Sequence, residues 1–159
     1  MTNGQPNHDA VRLIHEVMDA FSCSDLDQMF QLLHDDVVVE MPFEGGHDVD
    51  VLDKTGFRKV MELVDSMFES FTIEFDRVLA LDKGQGVVAE YHGNAIFKDS
   101  GVRYANRYCG IFITEGGRIR HWREYDHPVI LQTALAAHFQ QSNHAAARAS
   151  RVIEGRVCG

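Results

Sequence analysis

The hydrophobic period of this chain changes once, near Phe71, and that change sets the order in which helices and strands can occur. Before it, apolar residues recur at helical spacing. Val11, Ile14, Val17, Met18 and Phe21 mark one face of a helix over 9–21. Leu26, Met29, Phe30, Leu32 and Leu33 mark a second, entered through Ser24 and the acids Asp25 and Asp27, so the two predict a helical hairpin. Val37, Val38 and Val39, running into Met41 and Pro42, predict a short strand ended by proline. Beyond the loop FEGGHDVDVLDKTG, Val60, Met61, Leu63, Val64, Met67, Phe68 and Phe71 predict a third helix over 57–71. From Thr72 the period is two, and the turns DKGQG, FKDSG and TEGG separate four runs at about 72–81, 87–97, 102–114 and 118–125.

Helices first and hairpin-linked strands after is the order of an α+β domain whose three N-terminal helices cover one face of a curved sheet. Such a cone-shaped roll encloses a pocket. The 159 residues suit a single domain, with its core over about 9–135. The alanine-rich remainder, 136–159, is a tail, and the stretch Leu131–Arg151 suits a surface helix or an arm that docks a partner.

Charge narrows the function. A net charge of -9 repels phosphate backbones, and no basic patch interleaved with aromatics offsets it, so nucleic acid is not the expected partner. No run reaches the roughly 18 apolar residues of a membrane span, and MTNGQPNHD lacks the features of a secretory leader, so the expectation is a soluble cytoplasmic protein without membrane contact. Cys23, Cys109 and Cys158 form no CxxC pair and no disulfide framework.

The segment YANRYCGIFITEGGRIRHWREYDHP, from Tyr104 to Pro128, resembles the SnoaL-like and limonene epoxide hydrolase-like branches of the nuclear transport factor 2-like superfamily. The likeness extends through SDLDQMFQLLHDDVVVEMP and the helix led by Gly56, covering roughly Asp9 to Leu135. It implies a cystatin-like cone of curved antiparallel or mixed sheet, shared with the ketosteroid isomerases. It leaves the activity open, because this architecture hosts isomerases, hydrolases, cyclases, dehydratases and binding modules. Where the isomerases carry their base, this chain has Met41, and their second oxyanion donor aligns near Cys109. The epoxide hydrolases resemble the chain at WREY, where Glu124 matches their water-activating aspartate. Their Arg-x-Asp element aligns with Tyr91 and Gly93, and their first-strand tyrosine and asparagine with Val39 and Met41. The phenazine-biosynthesis A/B proteins are similar in a tyrosine and a glutamate at Tyr104 and Glu124, whereas their helix histidine and serine fall near Met67 and Phe71.

Strand alternation puts Trp122, Glu124 and Asp126 on one face and Arg123 and Tyr125 on the other. Two neighbouring carboxylates in a partly apolar cavity would push one toward neutrality, a state useful for moving protons. The structural alternative is an ion pair of Glu124 with Arg103, Arg107 or Arg123 at the sheet surface. Tyr104, Asn106 and Tyr108 share a parity, joined by Tyr91 from the facing strand, and can hold an oxyanion or orient a ligand; the alternative is core packing with satisfied hydroxyls. His92 falls opposite Tyr91, and Cys109 reads as a packing residue. His47, His121 and His127 are scattered singly, so no metal is expected, and the pairs Gly45-Gly46 and Gly116-Gly117 are turns, so no nucleotide cofactor is implied.

The expected site therefore combines Glu124, Tyr104 and Asp126 as the catalytic group with Tyr91, Asn106, Tyr108 and Trp122 around the ligand. Under the resemblance Met18, Phe21, Val39, Met41, Met61, Val64, Met67, Phe68 and Phe71 line the rest. That lining suits a small hydrophobic organic ligand with a carbonyl or hydroxyl, handled without cofactor by acid/base chemistry. The alternative is a non-catalytic ligand- or protein-binding module. Relatives commonly dimerise through the sheet, which implies a homodimer.

Overall fold

The computed structural model describes residues 6–43 and 50–154; Gly45, Gly46, His47 and Cys158 lie outside the described residues. Helices α1 (Pro6–Ser22) and α2 (Leu26–Gln31) form the expected hairpin. Its cap is Asp25 rather than Ser24: the Asp25 carboxylate accepts from the Gln28 N–H at 3.0 Å, while Ser24 takes a left-handed φ of 57° in the turn. Leu32 closes α2, and its carbonyl accepts from Ile119 N at 3.0 Å. Strand β1 (Leu33–Met41) therefore starts at Leu33, not Val37, because the chain is captured by a parallel neighbour as soon as the helix ends.

A short strand, β2 (Asp50–Leu52), stands where the sequence predicts only loop and pairs Val39–Met41 antiparallel. Three residues on an edge carry too little pattern to separate from a polar connection. Helix α3 (Lys54–Met67) begins earlier than its apolar period suggests, because the Asp53 side chain accepts from Gly56 N at 2.7 Å and caps it. It also ends earlier. Phe68 is already extended, at φ -106° and ψ 139°, and opens β3 (Phe68–Ala80). A bulge between Phe68 and Ser70 gives the strand one extra residue, so Phe68 and Phe71, three apart, both turn inward and mimic a helical repeat.

The remaining elements are β4 (Gly86–Phe97), β5 (Arg103–Glu115), β6 (Arg118–Tyr125) and α4 (Pro128–Glu154). The strands form one curved, unclosed sheet in the order β2-β1-β6-β5-β4-β3, antiparallel throughout except for the parallel pair β1 and β6. A mixed sheet is compatible with the chain order, since β1 is separated from β6 by one α-helix and four strands, long enough for a parallel crossover.

One face of the sheet meets the helices. Val37 and Val39 of β1, Val87 and Ala89 of β4, Phe112 of β5 and Ile119 of β6 are buried against Ile14, Val17 and Met29. Phe57 of α3 bridges the layers, 5.6 Å from the Phe30 ring and 5.2 Å from Trp122. A second cluster joins Phe68, Ala95, Phe97 and Tyr104 to Ala134, so the first turns of α4 belong to the packed body and not to a free arm. His138 extends this contact by stacking on Phe97 at 4.6 Å, with Nδ1 2.8 Å from Ser100 Oγ. Among the described residues no helix is long and apolar enough to cross a membrane.

The cap on α3 yields a test. Asp53→Ala should cost about 1 kcal/mol of unfolding free energy, read by urea denaturation, and Asp53→Asn clearly less. Equal losses for both would show that the carboxylate acts other than as a cap.

Candidate active site

Between the helices and the inner face of the sheet lies a cavity of about 160 Å³. Its helical side is Met18, Phe21, Met29, Phe57, Val60, Met61, Val64 and Leu131; its sheet side is Met41, Phe68, Phe71, Ile73, Tyr91, Tyr104, Tyr108, Trp122, Glu124 and Asp126. Alternation along β4, β5 and β6 thus brings Tyr91, Tyr104, Tyr108, Trp122, Glu124 and Asp126 to one wall. Met18, Phe21, Met41 and Phe71 also line it.

Three of the residues proposed for the lining do not reach the cavity. Val39 is fully buried in the core, too short to pass the packing above it. Met67, the last residue of α3, packs on the second cluster beside Phe68 and Phe97. Asn106 is buried behind the wall, where it holds other groups instead of a ligand. Sequence reasoning missed Met29, Phe57, Val60, Ile73 and Leu131. Ile73 could have been found by extending strand parity from Phe71. Leu131 could not, because nothing in its segment says which way the helix docks.

Glu124 is the centre of the polar wall. Its Oε2 accepts from Tyr91 Oη and, at 3.0 Å, from Trp122 Nε1. Two donors on one oxygen fix the carboxylate and stabilise its charge. Tyr91 is on β4 and Glu124 on β6, so the phenol must cross β5 between them. It crosses at Gly110, which pairs with Ala89 on one side and with Glu124 on the other. A Cβ at Gly110 would lie 2.4 Å from the Phe112 ring and 3.3 Å from that of Tyr91. Burial, then the Glu124 charge, raises the Tyr91 hydroxyl well above its ordinary value, so it stays a donor.

Two of the three arginines of the competing ion-pair reading point elsewhere. Arg107 meets Asp76 at 3.4 Å and Arg123 meets Glu40 at 3.2 Å, both on the outer face. His92 lies there too, 3.0 Å from Asp76 and 3.6 Å from Glu74.

Beside Glu124, Tyr104 and Tyr108 share a hydrogen bond of 2.7 Å between their hydroxyls, and Tyr108 stacks on Tyr91 with ring centres 5.2 Å apart. Asn106 Nδ2 donates to Tyr104 Oη at 3.0 Å, to Asp126 Oδ2 at 3.3 Å and to the His127 carbonyl at 3.2 Å, while Oδ1 accepts from Arg107 N at 2.8 Å. A carbonyl and a carboxylate on one side and an N–H on the other leave only this orientation of the amide. The paired tyrosines hold two protons and use one between themselves, so the second is not spent within the pair. Burial raises both hydroxyls, and it also raises the Asp126 carboxyl above its ordinary value. Among the described residues no three His, Cys, Asp or Glu side chains are placed to hold a metal ion.

The family model of the SnoaL-like domain matches residues 14–122. An LEH-like epoxide hydrolase from M. tuberculosis is 22% identical with a TM-score of 0.65, over 84% of this chain and 93% of that one. PrhC from Penicillium brasilianum is 12% identical with a TM-score of 0.76, over 87% and 94%. A phenazine biosynthesis-related protein from Pseudomonas aeruginosa is 14% identical with a TM-score of 0.69, over 83% and 88%. At these identities the likeness is one of fold. No curated protein sequence matches the chain.

Two outcomes follow from the geometry. Gly110→Ala should destabilise the fold by about 1–3 kcal/mol through overpacking against Phe112 and Tyr91. Tyr91→Phe in the Gly110→Ala background should then add less than it does alone, measured as a double-mutant cycle; full additivity would mean that Gly110 does not seat Tyr91. For Asp126 the folded carboxyl titrates above the unfolded one. The unfolded chain therefore ionises first as pH rises, and stability is lost between the two values. Asp126→Asn should gain on the parent from about pH 4 upward, and an offset independent of pH would contradict the burial of this group.

Proposed function

Because the chain belongs to the SnoaL-like domain family, within the nuclear transport factor 2-like superfamily, we propose that its cavity is the active site of a cofactor-independent enzyme moving protons on a small hydrophobic ligand. The observation that carries this is the Glu124 carboxylate, set in an otherwise apolar wall with Tyr91 and Trp122 aimed at one of its oxygens. Glu124 takes a proton from a carbon or a hydroxyl next to the ligand's carbonyl. Tyr104 and Tyr108 supply the hydrogen bond that meets the charge developing on the ligand oxygen. Glu124 then returns that proton to another atom of the ligand and so resets itself, while Asp126 and Tyr104, both reached by Asn106, contribute the polar end. One carboxylate that takes and returns a proton would serve isomerisation, cyclisation, dehydration or hydrolysis alike.

Support against a pure binding module comes from the inner face of the sheet, where the cavity sets a carboxylate among apolar side chains. The outer face of the described strands carries ion pairs, Arg77 with Glu90 and Arg107 with Asp76 among them, beside the apolar residues Leu79, Val88 and Ile111. The same reading includes a cytoplasmic homodimer joined through the outer face, and a monomeric sedimentation profile would remove the dimer from it.

A thermal-shift screen against hydroxyaromatics, cyclic ketones, epoxides and polyketide-like acids finds ligands, since one that binds only the folded state must raise its stability. Ketone hits are then incubated in heavy water and exchange of the hydrogens next to the carbonyl is followed by proton NMR. Glu124→Gln keeps an acceptor for Tyr91 and Trp122, so the fold should survive while exchange falls about 10²–10⁴-fold. Unchanged exchange in a folded Glu124→Gln protein would leave the binding module as the better account.

A further inference from the structure

We infer that the cavity selects by charge as well as by shape, taking an uncharged hydrogen-bond acceptor about one ring in size and turning away a carboxylate of the same outline. This rests on the proposed use of the cavity as an active site and narrows what enters it.

The side chains lining the cavity include two carboxyls, Glu124 and Asp126, and no lysine, arginine or histidine. Of the basic groups nearby along the strands, Arg107 and Arg123 sit on the outer face with Asp76 and Glu40, and His127, whose charge lowers Asp126, stands outside the lining. An anion would enter an apolar space with like charge on the wall and no counter-ion. The Tyr104–Tyr108 pair uses one of its two hydroxyl protons within itself, and the other is the donor for a ligand oxygen. An amide, ketone, ester or enol oxygen both accepts the tyrosine proton and avoids the repulsion.

Size follows from the same walls. A cavity of about 160 Å³ is comparable to engineered apolar cavities that take one benzene ring. Aromatic faces surround it, with Phe21 and Phe71 at 4.9 Å and Phe68 and Phe71 at 5.4 Å between ring centres.

Two probes of nearly equal outline isolate this effect: benzamide and benzoate, titrated by calorimetry into the full-length protein at neutral pH. Benzamide should bind about a hundredfold more tightly than benzoate, the scale of one unfavourable charge contact of low effective dielectric. In Glu124→Gln/Asp126→Asn the gap between benzamide and benzoate should shrink to less than about tenfold. Met41→Lys, which adds a cation to the lining without touching the carboxyls, should close it from the other side, and serves if the double variant does not fold. Benzoate matching benzamide in the parent, no saturable benzamide binding, or a gap unmoved by a folded variant would each overturn the inference. Loss of the predicted proton exchange with this order of affinities intact would sink the catalytic reading and leave the selectivity standing.

Discussion

A carboxylate set among apolar side chains is costly unless donors meet it, and much of the inner wall is arranged around meeting that of Glu124. The donors come from two strands: Trp122 from β6 itself and Tyr91 from β4, two strands away. Reaching from β4 to β6 requires the intervening strand to present no side chain, and Gly110 supplies the gap. Register makes this possible, because a slip by one residue would put Cys109 in the path and Glu124 on the outer face. The packing of Phe112 against Gly110 and Trp122 then holds the tyrosine in place from below.

The same logic accounts for the contrast with the epoxide hydrolase pattern. Where that pattern has an aspartate on the fourth strand, this chain has Gly93. A Cβ there would lie 2.7 Å from the Phe71 ring and 3.2 Å from that of Tyr108. The space is thus used by two aromatic rings and carries no charge. In this chain polar groups lie on β5 and just past β6, where Tyr104, Tyr108, Asn106 and Asp126 connect through hydrogen bonds. A network of hydroxyls of this kind can meet charge on a nearby oxygen without a permanent cation in the cavity.

The parts of this design that repeat were legible in the sequence. Period two along β4 to β6 placed Tyr91, Tyr104, Tyr108, Trp122, Glu124 and Asp126 on one face, and alternation separated them from His92 and Arg107. What interrupts a repeat was not legible. The bulge after Phe68 turned a strand start into an apparent helix end, and the edge strand at Asp50–Leu52 is shorter than any pattern it could show. Val39, Met67 and Asn106 have the right parity or the right side of a helix, but how deeply each sits depends on the layer above it. Depth is a property of packing between elements, and no local pattern encodes it.

Methionine is concentrated in the cavity: Met18, Met29 and Met61 line its helical side, opposite the ring-covered sheet, and Met41 adds a fourth from the end of β1. Unbranched thioethers change rotamer at little cost and pack well on aromatic faces, so this side of the cavity can follow the outline of a ligand. The opposite wall cannot, because Tyr91, Trp122 and Asn106 are each fixed by hydrogen bonds. Shape is therefore read by the yielding wall and chemistry by the rigid one. A cavity divided in this way tolerates changes in a ligand's carbon skeleton more readily than changes in the placement of its polar atoms, since only the latter leave buried hydrogen-bonding groups without partners.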